Sequence, residues 1–144
     1  SLGKNGKGQT PVKALGATDQ HSQIQLYMEG PHDKIITFLT TEQFRTPKTS
    51  TTIENPDEYF NYLKGHDFGA IINAEQKATA SALAKVSQPN ITVTFPTIDE
   101  HHLGEFFMLY EIATAFAGAL YGINPFDQPG VELGKKLTRE ILER

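Results

Sequence analysis

The sequence contains no cysteine among its 144 residues, which excludes disulfide bonds, zinc sites built on cysteine and thiol nucleophiles. It also lacks an excess of positive charge, because 13 lysines and arginines stand against 17 aspartates and glutamates, a difference of −4. A general nucleic-acid binder or a protein that docks on anionic membranes is therefore not expected. A chain of this length can bury a core without disulfides or a structural metal, so we expect one domain.

Long hydrophobic runs are also scarce. No signal segment, in which basic residues precede an apolar stretch, follows Ser1, so we expect a cytoplasmic protein or an excised piece of one. The most apolar stretch, 106–121, has 16 residues and is interrupted by Glu111, which is shorter than the roughly 20 residues that cross a bilayer. A helix over about 102–121 would be apolar nearly all round, and we expect it to lie deep in a core or a subunit interface.

Hydrophobic periodicity and turn residues predict two strands and about five helices. The strands are short β-rich runs bounded by turn residues, and the helices begin at capping residues and end at glycine or before proline. The predicted strands are 34–39 and 91–95, and the predicted helices are 20–29, 55–65, 67–86, 102–121 and a last helix capped by Asp127. Residues 1–18 are expected to form a flexible start, and the threonine-rich 40–56 a loop. So few strands predict a helix-rich α/β fold that is part of a larger α/β body.

Gln128 and Lys135 are the first pair of residues that could carry chemistry. If the helix begins near Asp127, seven residues at 100° each bring Lys135 back to within about 20° of Gln128, so that an amide and an ammonium face one side. Gly130 and Gly134 weaken a helix by about 1 kcal/mol each, and their place beside this face favours close approach by a ligand or another backbone. A capped surface helix with an exposed lysine is the alternative.

Histidines are the second group of candidates. His21 falls in the first turn of a predicted helix, where the positive end of the helix dipole favours a neutral imidazole that can exchange protons. An ordinary surface histidine is the alternative. His101 and His102 are adjacent and point to different sides of a helix, and only Glu105 stands at a helical interval from them, so we predict no metal site there.

Three segments resemble the glucose-6-phosphate isomerase (phosphoglucose isomerase) family. The longest, residues 118–135, is similar to the family's C-terminal signature, whose core pattern Phe-Asp-Gln-x-Gly-Val-Glu-x-x-Lys is met by residues 126–135. Residues 18–23 resemble the segment that bears the family's ring-opening histidine. Residues 1–4 resemble Glu-Ser-x-Gly-Lys, in which the family's catalytic glutamate stands immediately before the serine.

The resemblance implies an enzyme that interconverts glucose 6-phosphate and fructose 6-phosphate in glycolysis and gluconeogenesis, through acid–base ring opening and an enediol intermediate. It implies no metal or organic cofactor, two three-layer α/β/α sugar-isomerase (SIS) domains, and a homodimer with active sites at the subunit boundary. By resemblance, His21 would be the ring-opening acid or base and would be supplied to the partner subunit's site. Lys135 would assist ring opening and hold sugar oxygens, and Gln128 would line the same pocket.

The carboxylate base of that chemistry has no counterpart in this sequence. The family's glutamate would stand one residue before Ser1, and the family's phosphate-binding loop is also missing, so we expect a C-terminal portion of the enzyme that is inactive alone. Two other hypotheses remain open. One is a phosphosugar-binding SIS module that senses its ligand without turnover, and the other is a helical interaction domain built on the apolar helix over 106–121.

Overall fold

The structure is a computed structural model that describes residues 2–45 and 53–143. Within these ranges the chain forms two β-strands, four α-helices and one 3-10 helix. In chain order they are α1 (Gln20–Glu29), β1 (Ile36–Gln43), the 3-10 helix (Glu58–Leu63), α2 (Phe68–Lys85), β2 (Asn90–Thr97), α3 (Glu100–Tyr121) and α4 (Pro129–Leu142). The helix-rich α/β class predicted from the sequence is confirmed.

These elements fall into two compact units, whereas the length of the chain predicts one domain. The first, which we call the sheet unit, is Lys13–His102 and contains α1, both strands and α2. The second, which we call the terminal unit, joins the described residues up to Val12 to those from Leu103 onward. The start of the chain belongs with the C-terminal part because two lysines near it bond to the chain at and after the end of α3.

A pair of parallel strands forms the centre of the sheet unit. The pairing runs from Ile36 opposite Asn90 to Gln43 opposite Thr97. Parallel neighbours need a long crossover connection, and this connection contains α2, which contacts both strands. The unit is therefore built as a strand, a helix and a second strand parallel to the first.

β1 is longer than predicted, which corrects one boundary. The strand extends to Gln43, so the start of the predicted loop 40–56 belongs to the sheet. Threonine is β-branched and suits a pleated strand, and the Thr40 hydroxyl donates to the hydroxyl of Thr94 in β2 at 3.3 Å. Residues 46–52 of that loop lie outside the described residues.

The buried side chains of the sheet unit come from α2, β2 and the connection between them. Leu83 of α2 is fully buried, and Phe95 of β2 is 9% exposed. Gln88, which follows α2, is also buried, and its amide donates to the carbonyl of Lys34 at 2.6 Å. Because buried amides need hydrogen-bond partners, this bond ties the end of α2 to the chain just before β1.

α3 is exposed over most of its surface, although the sequence predicts a deeply buried helix. With 22 residues it is long and apolar enough, by length and composition, to cross a membrane, and 6% of its most apolar 18-residue stretch is buried. It begins before the apolar run, at Glu100, because Asp99 caps it by accepting the backbone N–H of His102 at 2.9 Å. Its most exposed large side chains are Phe107, Phe116 and Leu120. Core helices of soluble proteins satisfy the same criteria, so the length and composition of α3 do not distinguish a membrane span from a core helix.

Leu83→Ala is expected to lower the free energy of unfolding by about 2–5 kcal/mol, because it leaves a cavity at a fully buried position. Urea or thermal unfolding followed by circular dichroism measures the change. Leu15→Ala is the matched control in the same unit, since Leu15 is 67% exposed, and it should change this free energy by less than about 0.5 kcal/mol. Equal effects of the two substitutions would contradict a core centred on Leu83.

Candidate functional site

The turn after α3 sets the direction in which the chain enters α4. Gly122 ends α3 with a φ of 65°, a conformation that favours glycine. The N–H groups of Gly122 and Ile123 donate to the carbonyls of Ala119 and Gly118 at 3.1 and 3.0 Å, which is the hydrogen-bond pattern of a Schellman motif. Gly118 is buried, and a Cβ at this position would lie 2.6 Å from the Pro125 ring. The turn therefore packs too closely for a side chain at residue 118.

Gln128 is the N-cap of α4, and Pro129 begins the helix. Proline suits this position because its fixed φ matches the helix and its missing N–H is not needed there. The predicted cap, Asp127, is one residue too early, and its carboxylate accepts a hydrogen bond from Lys4 instead. Gln128 and Lys135 are both exposed. Since Gln128 has non-helical angles (φ −138°, ψ 65°), the periodicity argument does not extend to it, and convergence of the two side chains stays a prediction.

Lys135 lies on an exposed side of α4 beside a carboxylate. Its Nζ donates to Glu132 Oε1 at 2.7 Å, and 67% of the lysine and 69% of the glutamate side chain are exposed. The neighbouring Lys136 approaches a different carboxylate, Glu140, at 4.0 Å. An exposed ion pair contributes little stability, so a ligand oxygen can compete for the Lys135 ammonium.

Residues 4–7 form a tight hairpin turn, which we call the lysine hairpin. Lys4 and Lys7 exchange backbone hydrogen bonds of 3.2 and 2.9 Å. Asn5 and Gly6 between them both have positive φ, 54° and 70°, which is the type I′ geometry that Asn-Gly pairs favour. The prediction of a flexible start over 1–18 overlooks this turn, although the Asn-Gly pair is a sequence signal for it.

The lysine hairpin bonds to the chain between α3 and α4. Lys4 Nζ donates to the carbonyl of Asn124, to the carbonyl of Asp127 at 2.6 Å and to the Asp127 carboxylate. Lys7 Nζ donates to the carbonyl of Tyr121, the last residue of α3, at 2.6 Å. The hydrogen bond from the Lys4 ammonium, together with its charge, holds the pKa of the Asp127 carboxyl below its ordinary value.

His21 lies in the first turn of α1, as predicted, and its side chain is exposed. This turn is anchored by the neighbouring residue Gln20, whose amide donates to the hydroxyl of Thr79, a buried residue of α2. His21 belongs to the sheet unit, whereas Gln128 and Lys135 belong to the terminal unit. The structure thus places His21 at the start of α1, Gln128 at the start of α4 and Lys135 in the second turn of α4.

His102 takes part in the cap of α3. Its ring nitrogen Nδ1 lies 2.7 Å from Asp99 Oδ1, the oxygen that also accepts the His102 backbone N–H. The pKa of the Asp99 carboxyl is lowered, mainly by the hydrogen bond from the His102 backbone N–H and to a smaller extent by the contact with the His102 ring. Across residues 2–45 and 53–143, no group of three or more His, Asp or Glu side chains is placed to hold a metal ion.

The structure defines a helix-rich α/β protein whose candidate site residues lie in the first turn of α1, at the N-cap of α4 and in the second turn of α4. The model of the phosphoglucose isomerase family matches residues 15–144, which is most of the chain. The chain therefore belongs to the phosphoglucose isomerase family, and the resemblance noted in residues 18–23 and 118–135 is confirmed.

Two similar proteins carry the name glucose-6-phosphate isomerase. That of Carboxydothermus hydrogenoformans is 49% identical over 141 residues, which cover 95% of this chain and 30% of that protein. That of Rubrobacter xylanophilus is 46% identical over 138 residues, covering 96% of this chain and 32% of that protein. A crystal structure of a hypothetical protein from Thermus thermophilus matches with a TM-score of 0.81 and 38% identity, over 99% of this chain and 34% of that one. The chain thus spans about a third of the length of these relatives.

Lys4→Met is expected to raise the pKa of Asp127 toward its ordinary value, because the ammonium that stabilises the carboxylate is lost. Carbon-detected NMR titration of the carboxyl groups measures the change. Asp33, whose pKa is lowered by Lys34, is the internal control and should not move.

The sign of the linked pH effect follows from the direction of this shift. Because the folded-state pKa of Asp127 is lowered, the contribution of the Lys4 contact to stability is fully present above the unfolded-state pKa of about 3.9. It is lost as the pH falls through the lower folded-state value. An Asp127 titration that is the same with and without the lysine would contradict the contact.

Proposed function

We propose that this chain forms part of the active site of glucose-6-phosphate isomerase, which interconverts glucose 6-phosphate and fructose 6-phosphate. Membership of the phosphoglucose isomerase family and the names of the relatives support the proposal. Because the chain spans about a third of those relatives, the complete activity belongs to a longer protein. The observation that carries the proposal is the exposed Lys135 ammonium on α4, within the residues that the family model matches.

Ring opening of the cyclic sugar phosphate is the step that we assign to His21 and Lys135. A proton must leave O1 of the hemiacetal and another must reach O5, and an imidazole can carry out both transfers near neutral pH. An ammonium beside the reacting oxygens stabilises the negative charge that develops on them. His21 suits this role because it is exposed and the hydrogen bond from Gln20 to Thr79 anchors its turn to α2.

Isomerisation of the open-chain sugar needs a different group. A base removes the proton from C2 of the aldose while O1 gains a proton, which gives the enediol. The enediol becomes the ketose when C1 gains a proton and the hydroxyl on C2 loses one. The family's base is a glutamate, and no carboxylate of this chain stands at the matching position. Glu132, the carboxylate nearest to the candidate lysine in sequence, is already paired with Lys135. We assign the base to a residue outside this sequence, and we expect the chain alone to be inactive.

Gln128 and Lys135 are assigned to the sugar oxygens. An ammonium has three N–H donors, and the bond to Glu132 uses one of those on Lys135. Gln128 makes no side-chain capping bond in its own helix, so its amide can turn to a ligand. These two side chains thus supply donors to neutral hydroxyls and to a developing oxyanion.

A homodimer in which His21 serves the partner subunit's site is part of the same proposal. Large exposed apolar patches mark interaction surfaces, and the aromatic side chains Phe107 and Phe116 on α3 are 61% and 69% exposed. Cover from another subunit or from the rest of a longer protein would remove this surface from water. A cytoplasmic location and catalysis without a metal or organic cofactor stay predictions.

In the longer protein that contains this chain, Lys135→Ala is expected to lower kcat/KM by about 10²-fold or more, because charge stabilisation at the reacting oxygens is lost. A coupled spectrophotometric assay of fructose 6-phosphate conversion to glucose 6-phosphate measures it. Lys136→Ala is the matched control, since Lys136 is the neighbouring lysine and 76% exposed, and it should leave kcat/KM unchanged. Both substitutions should alter the free energy of unfolding by less than about 0.5 kcal/mol.

Three outcomes of this assay separate the hypotheses. Full activity in the Lys135→Ala variant would refute the role of that side chain. A wild-type longer protein that binds fructose 6-phosphate without converting it would favour the non-catalytic SIS module. Activity in the isolated chain would mean that one of its own carboxylates serves as the base.

His21→Gln and Lys135→Ala subunits, each inactive alone, are expected to restore activity when they are mixed. In a mixed dimer one site receives both native side chains and the other receives neither, so random reassociation should recover about a quarter of the wild-type activity. The same coupled assay, applied after joint refolding, measures the recovery. His32→Gln is the control, because His32 is another exposed histidine of the sheet unit, and it should be fully active. Mixing without any recovery would argue that His21 serves its own subunit.

A further inference from the structure

The lysine hairpin concentrates its two ammonium groups on the short segment that leads into α4. An ammonium has three donors and no acceptor, and Lys4 directs its donors to three oxygens of Asn124 and Asp127. Two of these oxygens are backbone carbonyls. The Lys4 side chain is 16% exposed. Charge-assisted hydrogen bonds of this kind are stronger than neutral ones. Lys4 therefore holds the backbone at Asn124 and Asp127 and also the Asp127 side chain.

α4 has few other contacts to fix its start. It has no buried residue, and its N-cap, Gln128, makes no side-chain capping bond. Pro125 packs against Gly118 and so holds the turn after α3. This contact lies three residues before Gln128 and does not involve α4 itself. The Lys4 contact reaches Asp127, the residue next to the N-cap. This ammonium therefore acts on the chain where α4 begins.

Lys7 supports the same segment from its other end. Its Nζ donates to the carbonyl of Tyr121, the last residue of α3. The C-terminus of a helix carries partial negative charge and unpaired carbonyls, so a cation there is favourable. The two lysines thus hold both ends of the chain between α3 and α4.

The geometry points to Lys4 as a positioning residue for the isomerase site, acting through the segment that sets where α4 begins. This inference rests on the proposed function, in which Gln128 and Lys135 bind sugar oxygens. Lys4 acts on them through the backbone of Asp127 and does not touch the substrate. A misplacement of about 1 Å can lower turnover by about 10²-fold. Loss of the Lys4 contact that fixes the start of α4 should therefore lower kcat.

The test compares Lys4→Met with Lys13→Met in the longer protein that contains this chain. Methionine keeps most of the aliphatic stem and has no N–H donor. Lys13 is exposed and lies further along the same N-terminal stretch, so it controls for loss of a lysine. The measurements are kcat and KM for fructose 6-phosphate, and amide hydrogen exchange in residues 130–135 by mass spectrometry. Lys4→Met should lower kcat by about 10-fold with little change in KM, and should accelerate exchange, whereas Lys13→Met should behave as wild type.

Asp127→Asn provides a second variant should Lys4→Met fail to fold. It weakens the same contact and keeps the lysine hairpin, so both measurements should shift in the same direction by a smaller amount. Unchanged kcat and exchange in these variants would overturn the inference. A loss of kcat with unchanged exchange would also overturn it, because Lys4 would then act other than through α4. If the wild-type protein shows no isomerase activity, the proposed function fails, while exchange still decides whether Lys4 holds α4.

Discussion

The parallel pairing of β1 with β2 is the constraint on which the sheet unit depends. Two strands that run in the same direction cannot be joined by a tight turn, so the chain has to cross over, and α2 lies in that crossover. The buried side chains Leu83 and Phe95 belong to this helix and to the strand that follows it. α1 depends on the same helix, because Gln20 donates to Thr79 of α2. The position of His21 therefore depends on the crossover helix α2, although the His21 side chain is exposed and lies outside the core.

The helices of the terminal unit bury few residues, and two lysine side chains join the start of the chain to its C-terminal part. α3 and α4 expose large apolar side chains, among them Leu120 at 88% and Ile141 at 69%. Soluble monomers rarely present large contiguous apolar patches. Since the relatives are about three times as long as this chain, burial of α3 is, under the proposed function, a property of the longer protein. The apolar pattern would then predict a helix that is buried in the longer protein, although it is exposed in the part of the chain that the structure describes.

Local signals account for what the sequence could predict. Asp67 before α2 and Gly122 after α3 are capping residues, and their preferences do not depend on distant parts of the chain. Contacts between distant residues leave no such signal, since Lys4 and Asp127 are separated by 123 positions. The predicted end of β1 is too early for the same reason, because its threonines resemble a loop until their pairing with β2 is known. The candidate site residues rest on family resemblance, since spacing alone also allows an ordinary surface lysine and histidine.

The lysine hairpin adds a constraint to the proposed active site. By resemblance to Glu-Ser-x-Gly-Lys, the family's base stands immediately before the position of Ser1, a few residues from Lys4. The Lys4 ammonium contacts Asp127, which is next to Gln128. Under the proposed function, one short stretch then carries both the base and the cation that holds α4. Proton transfer between neighbouring carbons depends on the distance from the base to a substrate held by other groups. Under the proposed function, the direct bond between Lys4 and Asp127 would limit changes in that distance, which is a stronger constraint than separate packing of each segment would provide.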